Sequence, residues 1–238
     1  MKKLTSILLV LSLVMCLFAG YSSAEPAETI AAATLKVGDV ISFGHYEQDN
    51  DTSNGREEIE WIVLAKDGNR TLVISKYALD CQPYIVEEYE GVTWETCTLR
   101  SWLNSDFYHA AFSAEEKKAI VQTNVTPDKT VHCTNPGNST EDSVFLLSKT
   151  EAEKYFSDND ARVCAPTAYA IAQGAYTNSY YNYKTASGEA ACCWWMRSPG
   201  HSWIYPAYVD IGGSVVYGGY FYTEYACVRP AMWIGSGE

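Results

Sequence analysis

Apolar residues alternate or run in short blocks at both ends of the chain, and fall at three- and four-residue spacing only in its middle. "VGDVISFGHY" and "IEWIVLAKDGNRTLVISKY" are dense in Val, Ile and Trp. Asp67-Gly68-Asn69 divides the second stretch, which predicts a strand, a hairpin turn and another strand. In "TLRSWLNSDFYHAAF" the apolar residues Leu99, Trp102, Leu103 and Phe107 line one face of a helix. Ser113 with Glu116, and Thr150 with Glu153, match the capping box, so short helices are expected near 114–120 and 151–156. Between them, "VTPDKTVHCTNPGNSTEDS" reads as a long surface loop ahead of the strand "VFLLS". Pro166 is placed to begin a third helix, over 167–173. From Trp194 strands return as "WWMRS", "AYVDI", a Gly212-Gly213 turn, "SVVYG" and "ACVRPAMWI".

Strands at both ends with short helices between them predict a single α+β domain whose terminal strands share one mixed or antiparallel sheet. The domain is expected over 35–236, after a small, polar, aperiodic linker at 25–34. Residues 1–24 carry Lys2 and Lys3, an apolar run over 7–18 and Ser22-Ser23-Ala24 before Glu25, the order of a secretory signal peptide. The apolar run is shorter than the ~20 residues of a spanning helix, so a secreted or cell-surface protein is expected, with no membrane segment after cleavage. Lipidation at Cys16 is the lesser alternative, because Met15 stands where a small residue belongs.

Removing Lys2 and Lys3 takes the formal charge from −12 to −14. An acidic chain with no basic stripe repels phosphate backbones, which argues against a nucleic-acid partner.

Reactive residue types are present without the arrangements that make them reactive. Seven cysteines follow the signal: Cys81, Cys97, Cys133, Cys164, Cys192, Cys193 and Cys227. None forms a CxxC pair, so they read mainly as small buried hydrophobes with one or two bridges at most. Of the four histidines (His45, His109, His132 and His201), only His201 lies close in sequence to a cysteine pair, and no triad-like signature surrounds it. Asp158-Asn159-Asp160 resembles the start of a calcium loop but lacks its glycine and distal glutamate. Phosphate-cradling glycine loops are absent from the sequence. No catalytic residue, metal or cofactor is expected.

Two other groups carry more information. Arg197 and Arg229 sit inside apolar strands and Arg100 begins the Trp102 helix; a buried arginine needs a carboxylate or carbonyl partner, for which Glu60, Glu95 and Asp210 are candidates. With Trp61, Trp194, Trp195 and Trp233, Arg197 and Arg229 are assigned a structural role. Residues 176–225 interleave tyrosines with Ser, Gly, Asn and Thr, the palette of adaptable binding surfaces. Trp203, Tyr205, Tyr220 and Tyr222 are the expected ligand contacts.

The combination of "IEWIVL", "TWETCTLRSWLN", "VFLLSKTEAEKYF", "PTAYAIAQGAY", "WWMRSPG" and "VRPAMWI" resembles an uncharacterised bacterial domain-of-unknown-function family over about 37–234. The order of tryptophan strand, Gly hairpin and Arg-Pro strand is also loosely similar to C-type-lectin-like and formylglycine-generating-enzyme-like domains. The lectin motifs Glu-Pro-Asn and Trp-Asn-Asp are missing, so calcium-dependent sugar binding is not implied. The resemblance leads to a non-catalytic, lectin-like module whose partner is a carbohydrate or a cell-surface protein. The alternatives are a formylglycine-generating-type enzyme using Cys192 or Cys193, or a purely structural surface domain.

Overall fold

The computed structural model describes residues 35–86, 91–129, 135–177, 183–202, 205–218 and 226–235. The expected signal peptide and linker lie outside them, as do Cys133, His132, Trp203, Tyr220 and Tyr222. In chain order the strands are β1 (Val40–Tyr46), β2 (Glu57–Asp67), β3 (Arg70–Ser75), β4 (Asp80–Cys81), β5 (Ile120–Val121), β6 (Thr123–Val125), β7 (Thr140–Asp142), β8 (Trp194–Pro199), β9 (Pro206–Val209), β10 (Val215–Val216), β11 (Cys227–Val228) and β12 (Ala231–Gly235). The helices are α1 (Thr98–Trp102), which runs through a π turn at Leu103–Phe107 into α2 (Tyr108–Ala111), then α3 (Lys149–Tyr155), α4 (Asn159–Arg162) and α5 (Ala168–Ala172).

The molecule is α+β, built on two five-stranded sheets. The first has the order β1-β2-β3-β12-β5 and is antiparallel throughout. N-terminal and C-terminal strands therefore share one sheet, with Met232 of β12 opposite Val73 of β3. The β2–β3 hairpin closes between Asp67 and Arg70, and Gly68 takes φ 57° in the turn, where a side chain would be strained. Strand β3 is the middle of this sheet, and Thr71, Leu72, Val73, Ile74 and Ser75 are all buried. Trp61 packs against Phe112 at the end of the α1–α2 run, ring centroids 6.3 Å apart. Each such large apolar side chain contributes roughly 1.5–3 kcal/mol on burial.

The second sheet has the order β10-β9-β8-β11-β4, with β11 parallel to β8 and the other pairings antiparallel. Arg229-Pro230 carries the chain from β11 in this sheet to β12 in the first. Ser75 N donates to the Pro230 carbonyl at 2.9 Å and ties the crossing to the end of β3.

Four local expectations are corrected. The capping box that starts α3 is Ser148 with Glu151, not Thr150 with Glu153; overlapping matches in "SKTEAE" left the register open, and the reciprocal bonds form two residues earlier. Helix α5 begins after Pro166: Thr167 caps it by accepting from Ala170 N at 3.0 Å, so the proline precedes the cap rather than opening the helix. The expected strand "VFLLS" reduces to one antiparallel bridge, Phe145 to Ala231, while the expected loop over 125–143 is closed at its base by the β6–β7 ribbon, Thr123 pairing with Asp142.

Candidate functional site

Strand β8 contains the chemically densest stretch of the chain, and its side chains divide between the two faces of the second sheet. Trp194 and Trp195 are both fully buried; the indole of Trp194 donates to the Arg162 carbonyl at 3.1 Å and that of Trp195 to the Gln82 carbonyl at 2.9 Å. Cys192 faces Cys164 and Cys227, whereas Cys193 faces Asp210 and Ile211. The neighbouring thiols therefore have different immediate surroundings.

Farther along β8, Arg197 and Ser198 grip the first turn of α3. Arg197 is buried and places both terminal nitrogens on the Glu151 carboxylate, Nη2 at 2.8 Å, with Nη1 also donating to the Leu146 carbonyl at 2.8 Å. Ser198 accepts from Lys149 N at 2.7 Å and donates to Asp128 at 2.5 Å, and Asp128 also accepts from Thr150. Burial pushes the Asp128 carboxyl up, but the bonds from Ser198 and Thr150 outweigh it and hold the group below its ordinary range. Of the residues foreseen as partners for the arginines, Glu95 serves Arg100 through its carbonyl, which accepts from Arg100 Nη1 at 3.5 Å, and none serves through its carboxylate among the described residues. Glu60 pairs with Lys76, Glu95 accepts from Asn138, and Asp210 caps its own turn. Arg100 pairs with the buried Asp142 at 2.6 Å.

Arg229 has carbonyl partners: Nε donates to Ser75 at 3.0 Å and Nη1 to Arg162 at 3.3 Å. Its guanidinium lies between the rings of Phe156 and Trp194. Trp233, on the half-buried side of β12, is covered by the guanidinium of Arg70 at 4.5 Å.

This frame presents an aromatic edge. The β9–β10 hairpin turns through Asp210, whose Oδ1 accepts from Gly212 N and Ser214 N, each at 2.9 Å. Gly213 has φ 79° and sits so close to α4 that a Cβ would overlap the Asn159 carbonyl. Arg162 fixes the contact by donating to the Gly213 carbonyl at 2.8 Å. Tyr183 lies over Gly212 and, like Tyr176, is 49% exposed. Tyr205 is half-buried and its ring lies tilted by 37° against His201, centroids 4.8 Å apart, while the His201 amide donates to the Tyr217 carbonyl at 2.7 Å. Gly200 makes this possible, because a Cβ there would strike the carbonyls of Tyr205 and Tyr217. Of the four expected contacts only Tyr205 lies within the described residues; Trp203, Tyr220 and Tyr222 do not.

The thiols are quiet. Burial, followed by the Asp210 charge, pushes Cys193 up to about 11, and Cys192 is raised well above the ordinary thiol range by burial. Both are protonated at neutral pH, the reverse of an activated nucleophile. Of the cysteines within the described residues, Cys81, Cys97, Cys164, Cys192 and Cys227 are buried and Cys193 is half-buried.

Sequence reasoning missed Glu151, Asp128 and Arg162. All three stand beside residues it did single out, but 30 to 70 positions away in the chain, where no local pattern connects them. No helix among the described residues is long and apolar enough to cross a membrane. No curated protein and no solved structure matches the chain. A family model does match, over residues 68–236, and it takes in the Trp-rich strand, the hairpin and the Arg-Pro strand that build this edge. The chain belongs to the family described as Domain of unknown function (DUF6273).

Proposed function

We propose that this is an exported, non-catalytic binding module that recognises a carbohydrate or a cell-surface protein through the aromatic edge of its second sheet. The observation that carries the proposal is exposed Tyr183 over Gly212 at the turn of a hairpin that Arg162 holds, with the His201–Tyr205 ring contact at the other end of the same hairpin. Tyrosine rings with polar tips on a rigid base give contact area at little entropic cost, and flat sugar faces stack on such rings. We further propose a C-type-lectin-like arrangement. In support, a Gly hairpin follows the tryptophan strand, and Arg229-Pro230 leads into the strand that closes the first sheet between β3 and β5. A signal peptide over 1–24 accounts for export.

The test is binding of the mature protein to glycan and peptidoglycan arrays and to intact bacterial surfaces. The expected result is a saturable signal that falls about tenfold in Tyr183→Ala, Tyr205→Ala or Trp203→Ala with unchanged melting temperature. A signal indifferent to all three substitutions would refute the aromatic edge as the contact. Absence of any signal would favour a purely structural surface domain.

A further inference from the structure

The loop from β1 to β2 gathers three carboxylates. Glu47, Asp49 and Glu57 each place an oxygen so that the three lie within 4.8 Å of one another. The pairing of Tyr46 with Glu57 explains the approach, since it brings the residues flanking the two strand ends to the same point. Asp49 and Glu57 have donors. Asp49 accepts from Asp51 N and from Asn54 Nδ2, each at 2.7 Å, and Glu57 accepts from Gln48 N at 2.6 Å. Glu47 differs: the residue is only 8% exposed, and although its carboxylate accepts a bond from the Asn50 amide, its buried Oε1 has no hydrogen-bond partner. Arg56, the basic residue of the loop, turns away to the Ala110 carbonyl. An unpartnered buried carboxylate oxygen beside two further carboxylates needs a proton or a cation.

We propose that Glu47, Asp49 and Glu57 bind a calcium ion that ties the β1–β2 loop to the start of β2. The ligand set is all oxygen, which selects a hard dication, and irregular carboxylate geometry completed by water suits Ca²⁺ better than the strict octahedron of Mg²⁺. Water and the ion have access from a groove of about 330 Å³ lined by Asp49, Glu57, Glu58, Tyr77 and Glu189. The site stands apart from the aromatic edge, and its test does not depend on that reading.

The experiment is calorimetric titration of the chelator-stripped mature protein with CaCl₂, and with MgCl₂ as comparison, alongside melting curves. Wild type should show one saturable Ca²⁺ site with a dissociation constant in the range of roughly 10⁻⁴–10⁻³ M, and a melting temperature that rises with Ca²⁺. Glu47→Gln should fold with an apo melting temperature equal to or above that of wild type, because no hydrogen bond to Oε1 is lost and a charge is removed. Its Ca²⁺ affinity should fall about tenfold or more. Glu57→Gln should weaken binding similarly, and Glu58→Gln, at the rim, should not. A wild type without saturable binding at millimolar Ca²⁺, or equal affinity in all three variants, overturns the site.

Discussion

The Arg229 guanidinium carbon lies 5.2 Å from the Trp194 ring centroid, and both side chains donate to one acceptor, the carbonyl of Arg162. The two most recognisable motifs of the chain, 35 residues apart, therefore meet on the last residue of α4. Because Arg162 also holds the Gly213 carbonyl, the aromatic hairpin is fixed by the same residue on which both motifs converge.

Replacing Arg229 by alanine removes two charge-assisted bonds and the stack on Phe156 and Trp194, and leaves buried carbonyls without those donors. The expected cost is ~3 kcal/mol, seen as a fall of roughly 6–12 °C in melting temperature for a domain of this size. Unchanged thermal stability would show that the crossing between the sheets does not need the arginine.

Arg197 and Glu151 form a pair in which the arginine is nearly fully buried. Glu151→Ala leaves that charge uncompensated and should destabilise by about 3 kcal/mol, whereas Arg197→Met combined with Glu151→Gln should cost much less than the sum of the single changes. Urea denaturation of the two single variants and the double variant measures the coupling. Additive losses would mean the pair acts only through packing.

Gly213→Ala must move either the hairpin or α4, since the new methyl would occupy the position of the Asn159 carbonyl, and its φ of 79° is unfavourable for alanine. A loss of about 2 kcal/mol or more is expected. Gly188→Ala has the same backbone penalty at φ 88° but open space around it, and should cost less. Thermal melts of both separate crowding from backbone strain.

Asp128 gives an acid-side signature. Its folded carboxyl is held below the ordinary range, so its contribution to stability is fully present above about pH 4 and is lost as the pH falls through the lowered folded value. Asp128→Asn should flatten the acid limb of a stability-versus-pH curve and leave the slope near neutrality unchanged. An identical acid limb in both proteins would remove Asp128 as its source.

Cys193 supplies the alkaline counterpart. It is half-buried, and with its thiol near pH 11 its alkylation by iodoacetamide in the native protein should speed up about tenfold per pH unit until that point. Mass spectrometry of the labelled peptide reads the rate. Fast labelling at pH 7 would mean an activated thiol and revive a nucleophilic role.

The sequence made the long elements legible because their periodicity is local. The β2–β3 hairpin follows from its apolar blocks around Asp67-Gly68-Asn69, and the helical run from 98 follows from the spacing of Leu99, Trp102, Leu103 and Phe107. Burial of Arg197 and Arg229 was legible too, since both sit among apolar neighbours. Their partners were not, because Glu151 and the Arg162 carbonyl are brought in by other elements. Strands of two residues such as β4 and β11 leave no period to read. The carboxylate cluster was hidden for a related reason: an acidic residue at a strand end looks solvated, and only the pairing of β1 with β2 brings Glu47 against Glu57. Asp158, singled out instead, caps α4 by accepting from Ala161 N at 2.9 Å.

Parallel neighbours cannot be joined by a tight turn, so the chain leaving Pro199 at the end of β8 must return before it enters β11 beside Trp194. The first part of that return is built into the frame: β9 and β10 lie within it and pair in the second sheet, and Arg162 holds the Gly213 carbonyl of their turn. The connection that makes a parallel neighbour of β11 is therefore also what supplies two of the five strands of that sheet, so its sequence answers to the core as much as to any ligand.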